Sequence, residues 1–253
     1  MGVILEKYLK FIKPSEFNEM RPMTKKPIIS LRNVWKTYQM GEVQVHALRG
    51  LDLEVKKGEF LAIQGPSGSG KSTAMNLVGC LDIPTKGKIY LESQDISQLG
   101  ESELAQIRGR KIGFIFQQFN LINTLSALEN VMLPMIFQGV GVSERKKRAT
   151  ELLTKVGLGD RVDHKPTELS GGQQQRVAIA RSLAVDPDVI LADEPTGNLD
   201  SKTGINVMHF LKSLHKDEGK TIVMVTHDNH LAKQAQRIEY LKDGKIVKNR
   251  RGG

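Results

Sequence analysis

Short apolar runs alternate with helical patterns along most of the chain. From Ile28 the pattern predicts a strand, a turn at Gly41 and then two shorter strands, VQVHAL and LDLEV. Further strands are predicted at 59–64, 88–91, 111–116, 189–192, 221–226 and 238–247, and helices at 72–81 and 201–218. Strands that alternate with helices favour an α/β fold, in which a largely parallel sheet forms the core.

A polar, helix-rich stretch from about 117 to 186 interrupts this alternation. Within it, SERKKRATELLTKVGL predicts a helix with Ser143 as its N-cap, because a serine side chain can accept a hydrogen bond from the first turn. We therefore expect a helical subdomain there, inserted into one folded domain that spans 28–247. The remaining segments, 1–27 and 248–253, are predicted to be a basic N-terminal extension and a basic C-terminal tail.

The composition, with 39% apolar and 26% charged residues, is that of an ordinary folded chain. No apolar run approaches the roughly 18 residues that a membrane-spanning helix needs, and charged residues interrupt the first turns of the chain where a secretory signal would be apolar. Cys80 is the only cysteine, which excludes an internal disulfide and a cysteine-only metal site. A single cysteine suits a reducing cytosol, so we expect a cytoplasmic protein in which Cys80 is a small buried residue.

The formal net charge of +9 would suit a nucleic-acid-binding protein if the charge lay on the folded surface. Residues 1–27 carry a net charge of +3 and residues 242–253 a net charge of +4, which leaves +2 for residues 28–241. The basic excess therefore lies mainly at the two ends, and we expect no nucleic acid among the partners.

The N-terminal extension has a helical pattern of its own. Its apolar residues Leu5, Tyr8, Leu9 and Ile12 recur at helical spacing with lysines between them. Such a segment can lie on an anionic membrane surface, or it can pack on its own domain or stay poorly ordered. The pattern leaves these interpretations open, as it leaves open whether Met1 or Met23 is the natural start.

A glycine-rich segment between a predicted strand and a predicted helix carries the first functional motif. Residues 65–72, GPSGSGKS, fit the pattern G-x-x-x-x-G-K-[ST] of a phosphate-binding loop. Its glycines let backbone N–H groups converge on phosphate oxygens, and the helix N-terminus adds its positive dipole end. Lys71 is expected to reach the β- and γ-phosphates, and the Ser72 hydroxyl to bind Mg²⁺. The nucleotide-binding residues predicted here are Gly65, Pro66, Ser67, Gly68, Ser69, Gly70, Lys71, Ser72 and Thr73.

Two carboxylates follow the apolar strand VILA, at the end where α/β sheets bind ligands. Asp193 is expected to hold Mg²⁺ through water, and Glu194 to polarise the water that attacks the nucleotide. Divided roles are expected because two adjacent carboxylates do not readily serve one metal ion. Alone the pair would be an ordinary acidic strand end, but beside a phosphate loop it indicates a second component of the same site.

The segment LSGGQ, from Leu169 to Gln173, identifies the family. It is followed by QQR and by VAIARSLA, a helical pattern with an apolar face, and it precedes the carboxylate strand. In this setting it resembles the signature of ABC-type ATPases, and the resemblance spans roughly residues 28–247. It implies the ABC ATPase fold, which has a RecA-like P-loop NTPase core, an antiparallel β subdomain and a helical subdomain.

The resemblance also implies roles for residues that would mean little alone. Tyr38 resembles the aromatic residue that stacks on adenine, the alternative being a strand core residue. Gln117 resembles the glutamine that senses Mg²⁺ and the γ-phosphate, and His227 the histidine that contacts the γ-phosphate. Asp200 resembles part of the loop that crosses to a partner subunit. The catalytic residues implied are Glu194, His227, Gln117 and Lys71, and the metal-binding residues are Ser72, Gln117 and Asp193.

In this family the signature of one subunit closes over the nucleotide that the phosphate loop of the other subunit binds. The resemblance therefore implies an ATP-induced, head-to-tail homodimer that encloses two ATP molecules. The residues that would contact the partner's ATP are Ser170, Gly171, Gly172 and Gln173. A separate integral membrane permease is implied as a second partner, and it would hold this chain peripherally on the inner face of the cell membrane.

Four longer stretches narrow the resemblance to the MacB/LolD-type subfamily of export and lipoprotein-release ATPases. They are residues 79–87, 114–134, 169–184 and 191–204. Two alternatives remain, an FtsE-like regulator of cell-wall or septal enzymes and an ABC ATPase that acts on the ribosome or DNA. The second is disfavoured, because the sequence has neither long heptad repeats nor a second cassette.

Overall fold

The structure, a computed structural model, describes residues 27–247. The predicted amphipathic pattern of the N-terminal extension and the predicted C-terminal tail lie outside the described residues. Among the helices of the described range, none is both long enough and apolar enough to cross a membrane.

An antiparallel sheet forms the first layer of the fold. Its strands are β1 (Pro27–Met40), β2 (Val43–Lys56), β4 (Lys86–Leu91) and β5 (Gln94–Asp95), in the order β2-β1-β4-β5. The predicted division of residues 43–55 into two strands is wrong, because β2 is continuous. Val34 pairs with Leu51 and Trp35 with Arg49, so Gly50 is left as a bulge. Its φ of 77°, which glycine adopts without steric cost, lets the strand bend without ending.

A mixed sheet of six strands forms the core. In spatial order it contains β10 (Lys245–Val247), β9 (Arg237–Lys242), β3 (Phe60–Gln64), β8 (Thr221–Thr226), β7 (Val189–Asp193) and β6 (Ile112–Ile115). All neighbouring pairs are parallel except β9 and β10. The predicted strand over 238–247 is in fact this hairpin, because Asp243 and Gly244 both have positive φ and form its turn.

Seven α-helices and one 3-10 turn are described between residues 27 and 247. The helices are α1 (Lys71–Val78), α2 (Glu101–Lys111), α3 (Ala127–Phe137), α4 (Val142–Lys155), α5 (Gly171–Ser182), α6 (Ser201–Glu218) and α7 (Asn229–Ala232), and the turn is Pro166–Glu168. The prediction that Ser143 caps α4 is wrong. Gly141 is the N-cap, since its carbonyl accepts the first helical hydrogen bond, from the Arg145 N–H at 2.9 Å.

The core sheet separates two apolar clusters, because successive side chains of a strand point to opposite faces. On β3, Phe60 and Ala62 face a cluster shared with α3, α4, α5 and α6. Leu61 and Ile63 face the other cluster, which contains α1 and the antiparallel sheet and buries Cys80. The sheet is thus covered on both sides, and its carboxyl edge is left to bind a ligand.

Candidate functional site

The carboxyl ends of β3, β7 and β8 open into one cavity of about 750 Å³. Most of the predicted nucleotide-binding residues line it, together with three residues of β2. The lining residues are Val45, His46, Ala47, Pro66, Ser67, Gly68, Gly70, Lys71, Ser72, Thr73, Gln117, Asp193, Glu194, Val225 and His227. Residues far apart in the sequence meet here because parallel strands end at the same edge of a sheet.

The phosphate loop runs from the end of β3 into α1, as the motif predicts. Gly65 packs so closely on β9 that a Cβ there would lie 2.1 Å from the Leu241 carbonyl oxygen, and a Cβ on Gly70 would lie 2.5 Å from that of Ala47. Gly70 also has a φ of 101°, which a residue with a side chain rarely adopts. These two glycines let the loop fold back between the antiparallel sheet and the core.

The Lys71 amine bridges this loop from within. It is almost completely buried and donates to the carbonyls of Gly65 and Pro66 at 2.9 and 2.8 Å. The Ser69 hydroxyl is also buried and has no hydrogen-bond partner among the described residues. The loop is therefore already folded around a cation, which is the arrangement that an anionic ligand requires.

Asp193 and Glu194 have different surroundings, although they are adjacent in the sequence. Burial raises the pKa of Asp193, the charge of Glu194 raises it further, and Lys71 lowers it. Glu194 Oε1 accepts a hydrogen bond from the His227 backbone N–H at 2.9 Å and lies 2.6 Å from His227 Nδ1. Its Oε2 accepts from the Thr226 hydroxyl at 3.1 Å. The structure thus brings together Glu194 and His227, which the sequence places 33 residues apart.

Thr226 is a site residue that the sequence analysis missed. It is fully buried at the end of β8, where it donates to Glu194 and accepts from the Asp228 backbone N–H at 3.1 Å. The only signal in the sequence is its place next to His227 at a strand end, and a threonine there is equally expected from strand propensity.

Gln117 lies at the cavity wall and packs against the loop that follows β7. The backbone carbonyl oxygen of Gln117 accepts a hydrogen bond from the Asn198 side-chain amide at 2.9 Å. A Cβ on Gly197 would lie 2.9 Å from the side-chain amide nitrogen of Gln117, so a larger residue there would require the Gln117 side chain to shift. The loop after β6 and the loop after β7 therefore contact each other at the edge of the cavity.

Tyr38 is not among the residues that line this cavity. Its hydroxyl donates to Asp82 at 2.9 Å, and burial together with this bond raises the pKa of Tyr38. The Lys36 amine lies 4.9 Å from the ring centroid. Val45, its partner on β2, lines the cavity instead, beside His46. Tyr38 also lies beside Thr73, which lines the cavity, and its role as the adenine platform stays a prediction.

The signature residues lie apart from the phosphate loop of their own chain. Ser170 caps α5, and its hydroxyl accepts from the Gln173 N–H at 3.3 Å. Asp200 caps α6 in the same way, accepting from the Thr203 N–H at 3.0 Å. Ser170 and Gly172 line a separate cavity of about 410 Å³, which contains no residue of the phosphate loop. The predicted site residues therefore form two groups on one chain.

The donors in the main cavity suit a hard divalent cation. Ser72, Gln117 and Asp193 can each offer an oxygen atom. Between residues 27 and 247 there is no group of three or more His, Cys, Asp and Glu side chains that could hold a metal ion by themselves. This combination fits Mg²⁺, which commonly binds through one or two protein oxygens, the phosphates of a substrate and water.

Comparison with known proteins reveals close relatives over most of the chain. The sequence model of the family described as ABC transporter matches residues 48–197. A protein of Thermotoga maritima named an uncharacterized ABC transporter ATP-binding protein is 57% identical over 221 residues, covering 87% of this chain and 94% of the relative. The macrolide export ATP-binding/permease protein MacB of Hyphomonas neptunium is 50% identical over 221 residues, covering 87% of this chain but only 34% of MacB.

A solved structure extends this similarity to the fold. It is a dimeric post-hydrolysis state of the ATP-binding cassette MJ0796, a protein of Methanocaldococcus jannaschii, bound to ADP and Pi. Its TM-score is 0.81 at 54% sequence identity, and the match covers 87% of this chain and 97% of that one. The similarity confirms the fold class that the sequence predicts.

Proposed function

Because the chain belongs to the ABC transporter family of ATP-binding proteins, we propose that it is the ATP-hydrolysing subunit of a membrane transport complex. The observation that carries this proposal is the convergence of Lys71, Asp193, Glu194 and His227 on one cavity at the carboxyl edge of the sheet. A cation, an oxygen donor for Mg²⁺ and a candidate base lie there beside a folded phosphate loop.

The phosphate loop would bind the triphosphate. Lys71 would exchange its bonds to the Gly65 and Pro66 carbonyls for charge-assisted bonds to phosphate oxygens. The N-terminus of α1 and the loop amides add positive potential at the same place. Ser72 and Asp193 would hold Mg²⁺, with Gln117 as a further oxygen donor. When bound, Mg²⁺ would neutralise charge on the phosphates.

Glu194 is the best-placed general base. Its carboxylate is held by Thr226 and His227, which fixes its orientation at the cavity wall. A carboxylate in this position can accept the proton of the attacking water. The His227 side chain is 72% exposed while that of Glu194 is 13% exposed, so the imidazole can also turn towards a phosphate from its place beside the base.

Replacing Asp193 with Asn is expected to stabilise the protein without nucleotide while it lowers Mg²⁺-dependent hydrolysis. A carboxyl whose pKa is raised in the folded state weakens the fold wherever it is ionised, and a neutral amide removes this effect. At pH 7 we expect Tm to rise by about 2–4 °C, the size of a ~1 kcal/mol change in a chain of this length. The gain should shrink as the pH falls and the carboxyl of the original protein becomes protonated.

Thermal denaturation between pH 4.5 and 8 measures this effect. The exposed Asp163 serves as the matched control, since Asp163→Asn should change neither Tm nor hydrolysis. A lower Tm for Asp193→Asn than for the original protein at pH 7 would show that the charge stabilises the site.

We also propose that two copies of this chain assemble head to tail around two ATP molecules. The separation of the signature residues from their own phosphate loop supports this, because another copy would be needed to bring them to the nucleotide. Ser170 and the amides that follow it would then present a helix N-terminus to the γ-phosphate. The dimeric state of the MJ0796 cassette is consistent with such an assembly.

A groove of about 700 Å³ between α2, β6 and α3 is the proposed docking surface for the permease. Phe114 and Phe116 stack within it, with ring centroids 5.2 Å apart, and Phe137 at its rim is 82% exposed. Arg181 lines the groove and donates to the Phe119 and Asn120 carbonyls, just after Gln117. A partner in this groove would therefore contact the segment that begins at the nucleotide cavity. Such a complex would hold the chain against the inner face of the membrane through its permease.

Replacing Phe137 with Asp should separate the chain from its permease and leave its own ATP hydrolysis unchanged. Loss of an aromatic anchor at an interface costs roughly 2 kcal/mol or more, which corresponds to about 30-fold in affinity. Co-purification from solubilised membranes measures the loss, with Met40→Asp as the control because Met40 is 66% exposed on the other sheet. Equal recovery of the permease with both variants, or recovery of ribosomes or DNA with the original protein, would contradict the proposal.

A further inference from the structure

Gln175 is a polar side chain without exposed surface on the buried face of α5. Its amide nitrogen donates to the Pro195 carbonyl at 2.6 Å. Its amide oxygen is buried as well and accepts no hydrogen bond from the described residues. A buried acceptor without a donor destabilises a fold, so packing alone would favour an apolar side chain of this size.

The bond joins two segments with different roles in the proposed function. Gln175 lies five residues after Ser170, the N-cap of the helix that would face the partner's nucleotide. Pro195 directly follows Glu194, the proposed base. One hydrogen bond therefore connects the signature helix to the segment that carries the base of the same subunit.

This segment is constrained on both sides. Glu194 has a φ of 46°, a left-handed conformation that a residue with a side chain keeps only when its surroundings impose it. Thr226 and His227 hold its carboxylate on one side, and Gln175 holds the next carbonyl on the other. A movement of α5 would therefore reach Glu194 through the backbone.

A second contact keeps α5 against the same region. A Cβ on Gly172 would lie 2.4 Å from Thr203 Cγ2 in the first turn of α6. The start of α5 is thus in direct contact with the helix that follows the Glu194 segment. The hydrogen bond from Gln175 to Pro195 therefore adds a polar contact to the close packing of α5 against α6.

We propose that Gln175 is a positioning residue for hydrolysis, which links the contact between Ser170 and the partner's nucleotide to the orientation of Glu194 in its own subunit. The inference rests on the proposed function, because it requires a head-to-tail dimer that hydrolyses ATP. It makes the two ATP sites of the dimer interdependent through a single side chain in each subunit.

Gln175→Met tests this link, because methionine has a similar size and no hydrogen-bond donor. We expect kcat to fall about tenfold or more while KM for ATP changes less than about twofold, since the phosphate loop is untouched. The Hill coefficient for ATP should fall towards one. The Tm should change little, because the variant removes the unpaired amide oxygen but also leaves the buried Pro195 carbonyl without its donor.

Gln174→Met is the matched control. Gln174 is adjacent on the same helix, but its amide donates to the Leu169 carbonyl at 3.0 Å and does not reach the Glu194 segment. It should keep the kcat and the Hill coefficient of the original protein. Equal loss of kcat in both variants would overturn the inference, as would a normal kcat for Gln175→Met.

Gln175→Glu adds a signature that a purely structural role would not produce. The carboxyl can donate to the Pro195 carbonyl only when protonated, and burial favours its neutral form. Its kcat relative to the original protein should therefore increase as the pH is lowered from 8 to 6. A ratio that stays constant or falls overturns the proposed donor role.

Mixed dimers show whether Gln175 acts on the Glu194 of its own subunit or on that of its partner. In a dimer with one Glu194→Gln subunit, only one base remains. Gln175→Met should lower kcat when it is in the subunit with the intact Glu194, and have little effect in the other. An equal loss of kcat in both arrangements overturns the inference. The proposed function still stands in that case, provided that the original protein hydrolyses ATP. If the original protein hydrolyses no ATP, both fail together.

Discussion

Glu194→Gln is expected to lower kcat for ATP hydrolysis by at least ~100-fold, within the range over which a positioned general base acts. Glutamine has the same shape but cannot take a proton from water. Its amide can still accept from the His227 N–H, and the Thr226 hydroxyl can turn to accept from it, so the site should keep its fold. ATP should still bind, and the unhydrolysed nucleotide should hold two copies together.

Steady-state phosphate release measures the loss of kcat, and size-exclusion chromatography with and without ATP measures the dimer. Glu144→Gln, at an exposed position in the first turn of α4, is the control and should behave as the original protein. Adding Ser170→Arg to Glu194→Gln should abolish the ATP-dependent dimer if the signature closes over the partner's nucleotide. Near-normal turnover by Glu194→Gln would rule out its role as the base.

Lys71→Ala is expected to weaken ATP binding by roughly 10- to 100-fold, since a hydrogen bond to a charged group contributes about 1.5–3 kcal/mol. The loss has two sources in the structure. The variant lacks the cation that faces the phosphates, and it leaves the Gly65 and Pro66 carbonyls without their donor, so the loop is less well ordered before ATP arrives.

Titration with a fluorescent ATP analogue measures this affinity. Lys216→Ala is the control, because Lys216 is exposed in the last turn of α6, far along the chain from the phosphate loop. The Tm of both variants should be compared, so that a loss of affinity is distinguished from a loss of fold. An unchanged dissociation constant for Lys71→Ala would be incompatible with the proposed role of this amine.

Elements with strong local signals were predicted with the bounds that the structure has. The run at 221–226 is buried throughout as β8, and the helix at 201–218 begins at the cap Asp200 and ends at Gly219, whose φ is 66°. In contrast, α2 was not predicted. It buries only Leu104, so it leaves no periodic apolar pattern to recognise.

The family and the phosphate loop were predictable because their signals are local. Gly70 allows the backbone conformation of the loop, and Lys71 is long enough to reach the Gly65 carbonyl. Both properties depend only on residues within the motif, so the motif predicts them wherever it occurs. The carboxylates at the end of β7 were predictable for a similar reason, since an apolar strand in an α/β fold ends at the ligand edge.

Only the tertiary structure decided which groups touch. The contact of Glu194 with Thr226 and His227 and the bond from Gln175 to Pro195 depend on the order of the strands in the sheet and on how α5 packs. It also decided that Val45, the partner of Tyr38 on β2, lines the cavity. The sequence by itself determined the family, the fold class and the chemistry of the loop, because these follow from local patterns and recurring motifs. Contacts between residues distant in the chain follow from packing, which no local pattern records.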